Sequence, residues 1–234
     1  MPSTLTYQER RGQLLDYFDR TAVDAWKRLT SDVPVSGVRA TVREGRLRMR
    51  NTLLSWLPVD LQGARILDAG CGTCVMAAEL ADRGADVLAI DLSPNLVRLG
   101  EERFGARRSR GRMRFAVGDF ADPALGQFDY VIAMDSLIHY SAQDTARTVA
   151  ELGHRTRQTI CFTYTPSNLL LTSMLAVGRL FPRSDRSPAV VPVDQRHLHR
   201  LLTAPALGGH LMPARSARVS HYFYKSQALE VGCA

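Results

Sequence analysis

A glycine-rich turn at residues 68–74 (Asp-Ala-Gly-Cys-Gly-Thr-Cys) constrains the fold of this chain more than any other segment. The turn follows residues 64–67, a short apolar run typical of a buried strand, and precedes residues 75–81, whose composition is helical. A strand, a turn and a helix in this order present backbone N–H groups and the positive end of a helix dipole to a ligand. Gly70 and Gly72 permit the tight turn, because a residue without a Cβ avoids a clash there.

A second acidic residue indicates which nucleotide such a turn binds. Residues 87–90 are typical of the next strand and lead to Asp91, where a carboxylate can accept hydrogen bonds from a ribose diol. A dinucleotide fingerprint needs a third glycine at the position of Val75, and an acid at Asp68, two residues before the first glycine, is unusual in it. The pattern instead resembles motif I of the class I S-adenosylmethionine-dependent methyltransferases. In that family the first acid lies near the methionine moiety, and the second binds the ribose.

The two cysteines of the turn allow a different interpretation, a redox pair whose thiol pKa is lowered at a helix N-terminus. The four cysteines, Cys71, Cys74, Cys161 and Cys233, include no second C-x-x-C for zinc. The cofactor turn already accounts for the glycines, so small residues packed around a turn are favoured and no protein-bound metal is predicted. The family usually has glycine where this chain has Cys74, so a bulkier residue must fit where the helix leaves the turn.

The net charge of +7 is almost all arginine and leaves three kinds of partner open: nucleic acid, a membrane surface or an anionic small molecule. Residues 103–114 hold six arginines and no acid, which predicts a solvated loop. The only aromatic residue in this segment is Phe104, so no nucleic-acid partner is predicted. The longest apolar run, residues 169–181, is interrupted by Arg179 and too short to span a bilayer.

Alternating strand and helix patterns predict an α/β fold with a doubly wound, mostly parallel seven-stranded sheet, as in the Rossmann-like class I methyltransferases. We expect a helical arm at residues 1–60, the cofactor-binding core at 61–165, a helical insertion after the fifth strand at 166–205 that covers the substrate, and terminal antiparallel strands at 206–234. Within the core, a helix is expected over residues 144–157.

The family resemblance implies a set of cofactor contacts at the carboxyl edge of the sheet. Asp119 with Phe120 resembles the contact to adenine, a carboxylate to the amino group and an aromatic residue near the ring. The segment after the fourth strand, residues 134–140 (Met-Asp-Ser-Leu-Ile-His-Tyr), would then lie by the reactive methyl group. The predicted cofactor-binding residues are Asp68, Gly70, Cys71, Gly72, Asp91, Leu92, Asp119, Phe120 and Met134.

Further segments narrow the resemblance to one family. They are Tyr17-Phe18, Trp26, residues 42–45 (Val-Arg-Glu-Gly), residues 134–140 and residues 176–186. Together they resemble the magnesium protoporphyrin IX methyltransferases of bacteriochlorophyll biosynthesis, in register from about residue 14 to residue 231. Thr30 departs from that family, which tends to have an aromatic residue near this position, and Tyr17 would supply such a contact instead.

The resemblance implies that S-adenosylmethionine methylates a propionate carboxylate of magnesium protoporphyrin IX. Guanidinium groups bind carboxylates bidentately, and the predicted substrate-binding residues are Arg43, Asp135, Tyr140, Arg179, Arg183 and Arg186. His139 and Tyr17 are the predicted catalytic residues. His139 would orient the carboxylate, remove a residual proton or approach the magnesium; a structural histidine and solvated arginines are the alternatives.

Two other functions remain open at this point. One is methyl transfer to another small acidic or phenolic molecule, such as a quinone precursor. The other is a catalytically silent binding module, for which the excess of arginine would be the reason. The family also suggests a partner, the large porphyrin-binding subunit of magnesium chelatase. A cytoplasmic location is expected, with at most a peripheral contact to the photosynthetic membrane.

Overall fold

The computed structural model describes residues 7–21, 37–167, 190–207 and 209–233. Two helices precede the sheet: α1 (Tyr7–Asp16), which runs into a π-helical turn (Tyr17–Thr21), and α2 (Val38–Ser55). The core then alternates as β1 (Arg65–Ala69), α3 (Val75–Asp82), β2 (Asp86–Asp91), α4 (Pro94–Phe104), β3 (Arg112–Val117), β4 (Phe128–Ala133), α5 (Ala142–Gly153) and β5 (Thr156–Pro166). After it come β6 (Pro192–Val193), α6 (Gln195–Leu202), β7 (Leu211–His221) and β8 (Tyr224–Cys233).

The strand order across the main sheet is β3-β2-β1-β4-β5-β8-β7. Every neighbouring pair from β3 to β5 is parallel, and β8 is antiparallel to both β5 and β7. The short β6 adds a parallel pair at the end of β5. The predicted doubly wound, mostly parallel seven-stranded sheet is therefore confirmed, including the antiparallel hairpin at its end.

The central strands of the sheet are buried on both faces, to which their successive side chains point in alternation. In β1, Ile66 contributes to the apolar layer beneath α2 and α3, while Leu67 contributes to the layer beneath α5. α2 adds Met49 and Leu53 to the first layer, both fully buried. The N-terminal section thus packs on the sheet beside the glycine turn and is not a detached extension.

Local capping fixes where the helices begin. Ser93 caps α4 by accepting the Leu96 N–H, with Pro94 at the first helical position. Ser141 caps α5 in the same way, but this helix ends at Gly153 and β5 already begins at Thr156. The expectation of a helix over residues 144–157 is therefore wrong at its carboxyl end. Of the residues that lengthened the helical pattern, His154 and Arg155 form a turn, and Thr156 and Arg157 begin the strand.

The arginine-rich segment between α4 and β3 lies at the surface and pairs with acids of neighbouring elements. Arg107 binds Asp82 and Arg114 binds Asp86, at N–O distances of 2.7 and 3.1 Å. The predicted solvated loop over residues 103–114 is correct for residues 105–111, whereas residues 103–104 end α4 and residues 112–114 begin β3. Exposed pairs of this kind contribute little to stability. Across the described residues, no helix combines the length and apolar character that crossing a membrane requires.

Candidate active site

The glycine turn leaves the carboxyl end of β1 and is held against β2 by backbone hydrogen bonds. The N–H groups of Gly70 and Cys71 both donate to the carbonyl of Ile90, at 2.9 and 3.0 Å. Gly70 has φ of +76°, and a Cβ there would lie 2.4 Å from the Cβ of Ser136. Gly72 has φ of +53°, yet a Cβ on it would meet nothing within 4 Å. Gly70 is thus required by packing, whereas Gly72 opens the turn toward the cavity.

Asp68 begins the turn and is buried, and Asp91 ends β2 and is half-buried; backbone N–H groups hold both carboxylates. Asp91 accepts from Gly72 N–H and Ser93 N–H, both at 2.9 Å. Asp68 is 2% exposed and accepts from Ala77 N–H at 3.1 Å, in the first turn of α3. Burial raises the pKa of Asp68 to about 7, with a smaller raising effect from Asp91 and a lowering one from the Ala77 hydrogen bond. Burial also raises the pKa of Asp91. A cation placed between these carboxylates would favour their ionised forms.

The thiols of Cys71 and Cys74 lie 3.5 Å apart in the turn, and both cysteines are free. Burial, and then the hydrogen bond between the Cys71 and Cys74 thiols, raise the pKa of Cys71, opposite to what a reactive thiolate needs. Cys74 itself has φ of +60°, a left-handed conformation in which glycine is favoured. Gly100 gives its sulfur room, since a Cβ on Gly100 would lie 2.4 Å from Cys74 Sγ. This contact explains how the chain accommodates a cysteine in place of the family's glycine.

A single cavity of about 360 Å³ joins the turn to the N-terminal helices and to the segment after β4. This volume falls within the roughly 300–1,000 Å³ of small-molecule sites. Its cofactor end is lined by Asp68, Gly70, Cys71, Gly72, Asp91, Leu92, Phe120 and Met134. Its other end is lined by Arg43, Arg46, Leu47, Asp135, Ser136, His139 and Tyr140. Eight of the nine predicted cofactor-binding residues therefore line one cavity. The three predicted substrate-binding residues that the structure describes, Arg43, Asp135 and Tyr140, line it too.

The N-terminal arm, residues 7–21, lines this cavity through Leu14, Leu15 and Phe18 and contacts three loops of the sheet edge. Arg10 Nη1 donates to the carbonyl of His139 at 2.8 Å, and Arg11 Nη1 donates to Asp119 Oδ2 at 2.9 Å. Asp19 Oδ1 accepts from the Ser93 hydroxyl and the Asn95 N–H, at 2.9 and 3.1 Å. The arm thus bridges the segments that follow β2, β3 and β4. The family resemblance includes Tyr17 and Phe18 of this arm, but no sequence pattern indicated the polar contacts of Arg10, Arg11 and Asp19.

At the other end of the cavity, Arg46 and Asp135 form an ion pair. Asp135 has φ of +58° and also accepts from the hydroxyls of Tyr224 and Thr163, at 3.0 and 3.3 Å. Arg46 is, like Arg43, an arginine of the N-terminal section that the sequence offers for the substrate carboxylates, whereas Thr163 and Tyr224 were not among the predicted site residues. Their contacts join distant segments, so no local motif could have indicated them.

The two predicted catalytic residues occupy different positions. His139 is 4% exposed, lines the cavity and packs its ring against Phe18 at a centroid distance of 5.8 Å. Tyr17 is half-buried, and its ring also contacts Phe18, edge to face, at a centroid distance of 5.2 Å. Tyr17 is not among the described residues that line the cavity. The ring of Phe18 contacts both Tyr17 and His139.

One other predicted residue lies outside the cavity lining, and four lie outside the part of the chain that the structure describes. Asp119 lies outside its described lining, because its carboxylate is bonded to Arg11 and to the Ala121 N–H. Arg179, Arg183 and Arg186 lie outside the described residues, as does Thr30. Among the residues that the structure describes, no group of three or more His, Cys, Asp or Glu side chains is placed to hold a metal ion.

The cofactor end suits an adenosyl amino acid. The carboxylates of Asp68 and Asp91, an open glycine turn and the N-terminus of α3 surround the same space. The Ser136 hydroxyl beside Gly70 is buried and has no partner among the described residues. These groups match the hydroxyl, ammonium and sulfonium groups of S-adenosylmethionine.

Comparison with known proteins gives matches along the whole chain. A family model described as the magnesium-protoporphyrin IX methyltransferase C-terminus matches residues 133–232, and one described as a methyltransferase domain matches residues 66–158. The chain is 50% identical to the magnesium-protoporphyrin O-methyltransferase of Rhodobacter capsulatus, over 98% of this chain and 99% of that protein. It is 28% identical to the Synechocystis protein of the same name, over 92% and 93% of the two chains. The crystal structure of magnesium protoporphyrin IX methyltransferase from Synechocystis PCC 6803 with bound SAH matches with a TM-score of 0.83 at 26% identity, covering 96% of this chain and all of that one.

Proposed function

The chain belongs to the family of magnesium protoporphyrin IX methyltransferases, and we propose that it methylates a propionate carboxylate of magnesium protoporphyrin IX with S-adenosylmethionine, giving the monomethyl ester in bacteriochlorophyll biosynthesis. The observation that carries this function is the shared cavity. It joins Asp68, Asp91 and a glycine turn, suited to the cofactor, to a helix face that carries arginines suited to a carboxylate.

The residues of the turn would hold the cofactor. Asp91 would accept hydrogen bonds from the ribose diol, and Asp68 would face the methionine end, with Phe120 and Met134 against the adenosine. When bound, S-adenosylmethionine supplies an electrophilic methyl group on a sulfonium. Asp119 is proposed as the adenine contact; for this role its carboxylate would exchange Arg11 for the adenine amino group.

The chemical step needs little help from a base. A propionic acid, like the side chain of glutamate, has a pKa of about 4.3 and is already ionised at neutral pH. The main task of the protein is therefore to align the carboxylate with the methyl group and to exclude water. His139 would orient the carboxylate by a hydrogen bond or take a residual proton, since its ring is buried in the cavity wall. Arg43 and Arg46 would bind the carboxylates of the substrate.

We propose that the helical segments before β1 and after β5 act as a cover over the carboxyl edge of the sheet. The contacts of Arg10, Arg11 and Asp19 with three separate loops support this role for the arm. A cover that closes by a few polar contacts can also open for a large flat ligand. The arginines at positions 179, 183 and 186 belong to the second segment, and we propose that they bind the substrate from it.

Two interactions with larger partners are also proposed. One is receipt of the porphyrin from the large subunit of magnesium chelatase, and the other is peripheral contact with the photosynthetic membrane. Family membership and the net charge of +7 support them. Rate measurements with the added subunit, or with anionic vesicles, would test each one; no change in rate would argue against it.

The function is tested by mixing the protein, S-adenosylmethionine and magnesium protoporphyrin IX. Mass spectrometry should show that the porphyrin gains one methyl group. Magnesium protoporphyrin dimethyl ester is the matched control, since it has no free carboxylate and should gain none. Faster methylation of a phenolic quinone precursor than of the porphyrin would replace this function with the alternative one.

A further inference from the structure

Behind the substrate end of the cavity, a buried tyrosine is bonded to the carboxylate that holds Arg46. Tyr224, the first residue of β8, is 9% exposed and does not itself line the cavity. Its hydroxyl donates to Asp135 Oδ1 at 3.0 Å, while Asp135 Oδ2 accepts from Arg46 Nη1. We propose, resting on the function proposed above, that Tyr224 is a positioning residue that fixes Arg46, through Asp135, to bind a propionate carboxylate of the substrate.

The carboxylate between them is held from three directions. Besides Tyr224, Thr163 on β5 donates to Asp135 Oδ1 at 3.3 Å and accepts from the Asp135 N–H at 2.8 Å. Asp135 adopts a left-handed backbone conformation, with φ of +58°, which residues with a Cβ rarely adopt. Such conformations are concentrated at binding sites and persist where surrounding contacts fix them. The orientation of the Asp135 carboxylate is therefore set before any ligand arrives.

The helix that carries Arg46 is placed by the same tyrosine. A Cβ on Gly45 would lie 2.5 Å from Tyr224 Cβ and 2.6 Å from the tyrosine ring. Only a glycine at position 45 lets α2 lie directly on this ring. The next residue in the chain is Arg46, which this contact brings to the cavity wall beside Asp135.

The charges of the cluster suit an anionic ligand only when Arg46 is in place. An ionised Asp135 alone would repel a propionate, and its pairing with Arg46 removes that repulsion while leaving a guanidinium at the wall. Burial, and then the charge of Asp135, raise the pKa of the Tyr224 phenol. The phenol consequently stays protonated at neutral pH and remains a donor to Asp135.

The test is Tyr224→Phe, which removes the hydroxyl and keeps the ring against Gly45. Tyr222→Phe is the matched control, because the same change falls on a side chain that is 71% exposed at the tip of the hairpin. Porphyrin fluorescence gives the affinities for magnesium protoporphyrin and for its dimethyl ester, and calorimetry gives the affinity for S-adenosylhomocysteine. We expect Tyr224→Phe to weaken binding of the diacid about tenfold. Binding of the diester and of S-adenosylhomocysteine should not change, and Tyr222→Phe should change none of the three affinities.

A double mutant distinguishes action through Arg46 from a separate effect on packing. Arg46→Lys keeps the charge and loses the planar fork, so it should weaken diacid binding by itself. If Tyr224 acts through Arg46, the double mutant should bind the diacid no more weakly than Arg46→Lys alone. Additive losses, or an equal loss of diester binding, would overturn the inference. Wild-type protein that binds the diacid without methylating it would refute the proposed function alone; normal turnover with an unchanged Tyr224→Phe would refute this inference alone.

Discussion

The two ends of the cavity are built in different ways. The cofactor end comes mainly from the continuous stretch 68–93, to which Phe120 and Met134 are added, and its acids are held by backbone N–H groups of that stretch. The substrate end uses Arg46 and Tyr224, each 89 residues away from Asp135, and its contacts are between side chains. The first end is therefore fixed by local backbone geometry, whereas the second exists only once the sheet and α2 are assembled. We expect mutations at the two ends to separate cofactor binding from substrate recognition.

The largest expected effect falls on the cofactor end. Asp91→Ala removes a carboxylate placed for two ribose hydrogen bonds and should cost about 2–4 kcal/mol of S-adenosylhomocysteine binding. Isothermal titration calorimetry measures it directly. Asp86→Ala is the control, since Asp86 starts the same strand and pairs with Arg114 at the surface. Undiminished affinity in Asp91→Ala, or tighter binding of a nicotinamide dinucleotide by the wild type, would contradict the assigned cofactor.

His139→Ala should show most clearly that turnover and cofactor affinity depend on different ends of the cavity. If His139 orients the carboxylate, turnover should fall by about 10²-fold or more while cofactor affinity stays unchanged. Turnover by mass spectrometry and cofactor affinity by calorimetry are measured on the same preparation. His221→Ala, on the hairpin tip, serves as control. Near-normal turnover in His139→Ala would make this histidine structural and leave alignment by arginines as the mechanism.

The cofactor end should also respond to pH through Asp68. Its pKa in the free protein is raised to about 7, chiefly by burial, and a cationic ligand favours the ionised form. Below pH 7 the carboxyl must lose a proton on binding, so affinity should fall by up to about tenfold per pH unit. Titration with S-adenosylmethionine between pH 8 and 6 measures this dependence. The Asp68→Asn variant should bind more weakly and lose this component of the pH dependence; an equally steep decline in it would exclude Asp68 as the cause.

The smallest expected effect concerns the arm that covers both ends. Asp19→Asn weakens its contacts with Ser93 and Asn95 and should cost about 1 kcal/mol of local stability. Limited proteolysis should then cut the arm faster, with the melting temperature of the whole protein little changed. The exposed Asp16→Asn on the same arm is the control. Equal cutting rates in wild type and Asp19→Asn would show that these contacts do not hold the arm closed.

The difference between the two ends also explains which parts of the site could be predicted from sequence. Asp68, Gly70 and Asp91 could be predicted because a strand, a glycine turn and a strand-end acid form one continuous pattern, and all three line the cavity. His139 and Arg43 were found only through resemblance to a family, since a lone histidine or arginine has no periodic signal. Tyr17 and Asp119 were predicted as site residues, yet contacts with Phe18 and Arg11 hold them outside the described lining. Their roles stay predictions.

The sequence by itself determined the class of fold, the succession of strands and helices along the core and the cofactor turn, because alternating patterns and glycine geometry act over short stretches of chain. It did not determine the wall that faces the substrate. That wall depends on Gly45 lying against Tyr224. This contact brings Arg46 to Asp135, although the two residues are 89 positions apart in the sequence. Contacts between side chains so far apart in sequence follow from tertiary packing, which no local pattern records.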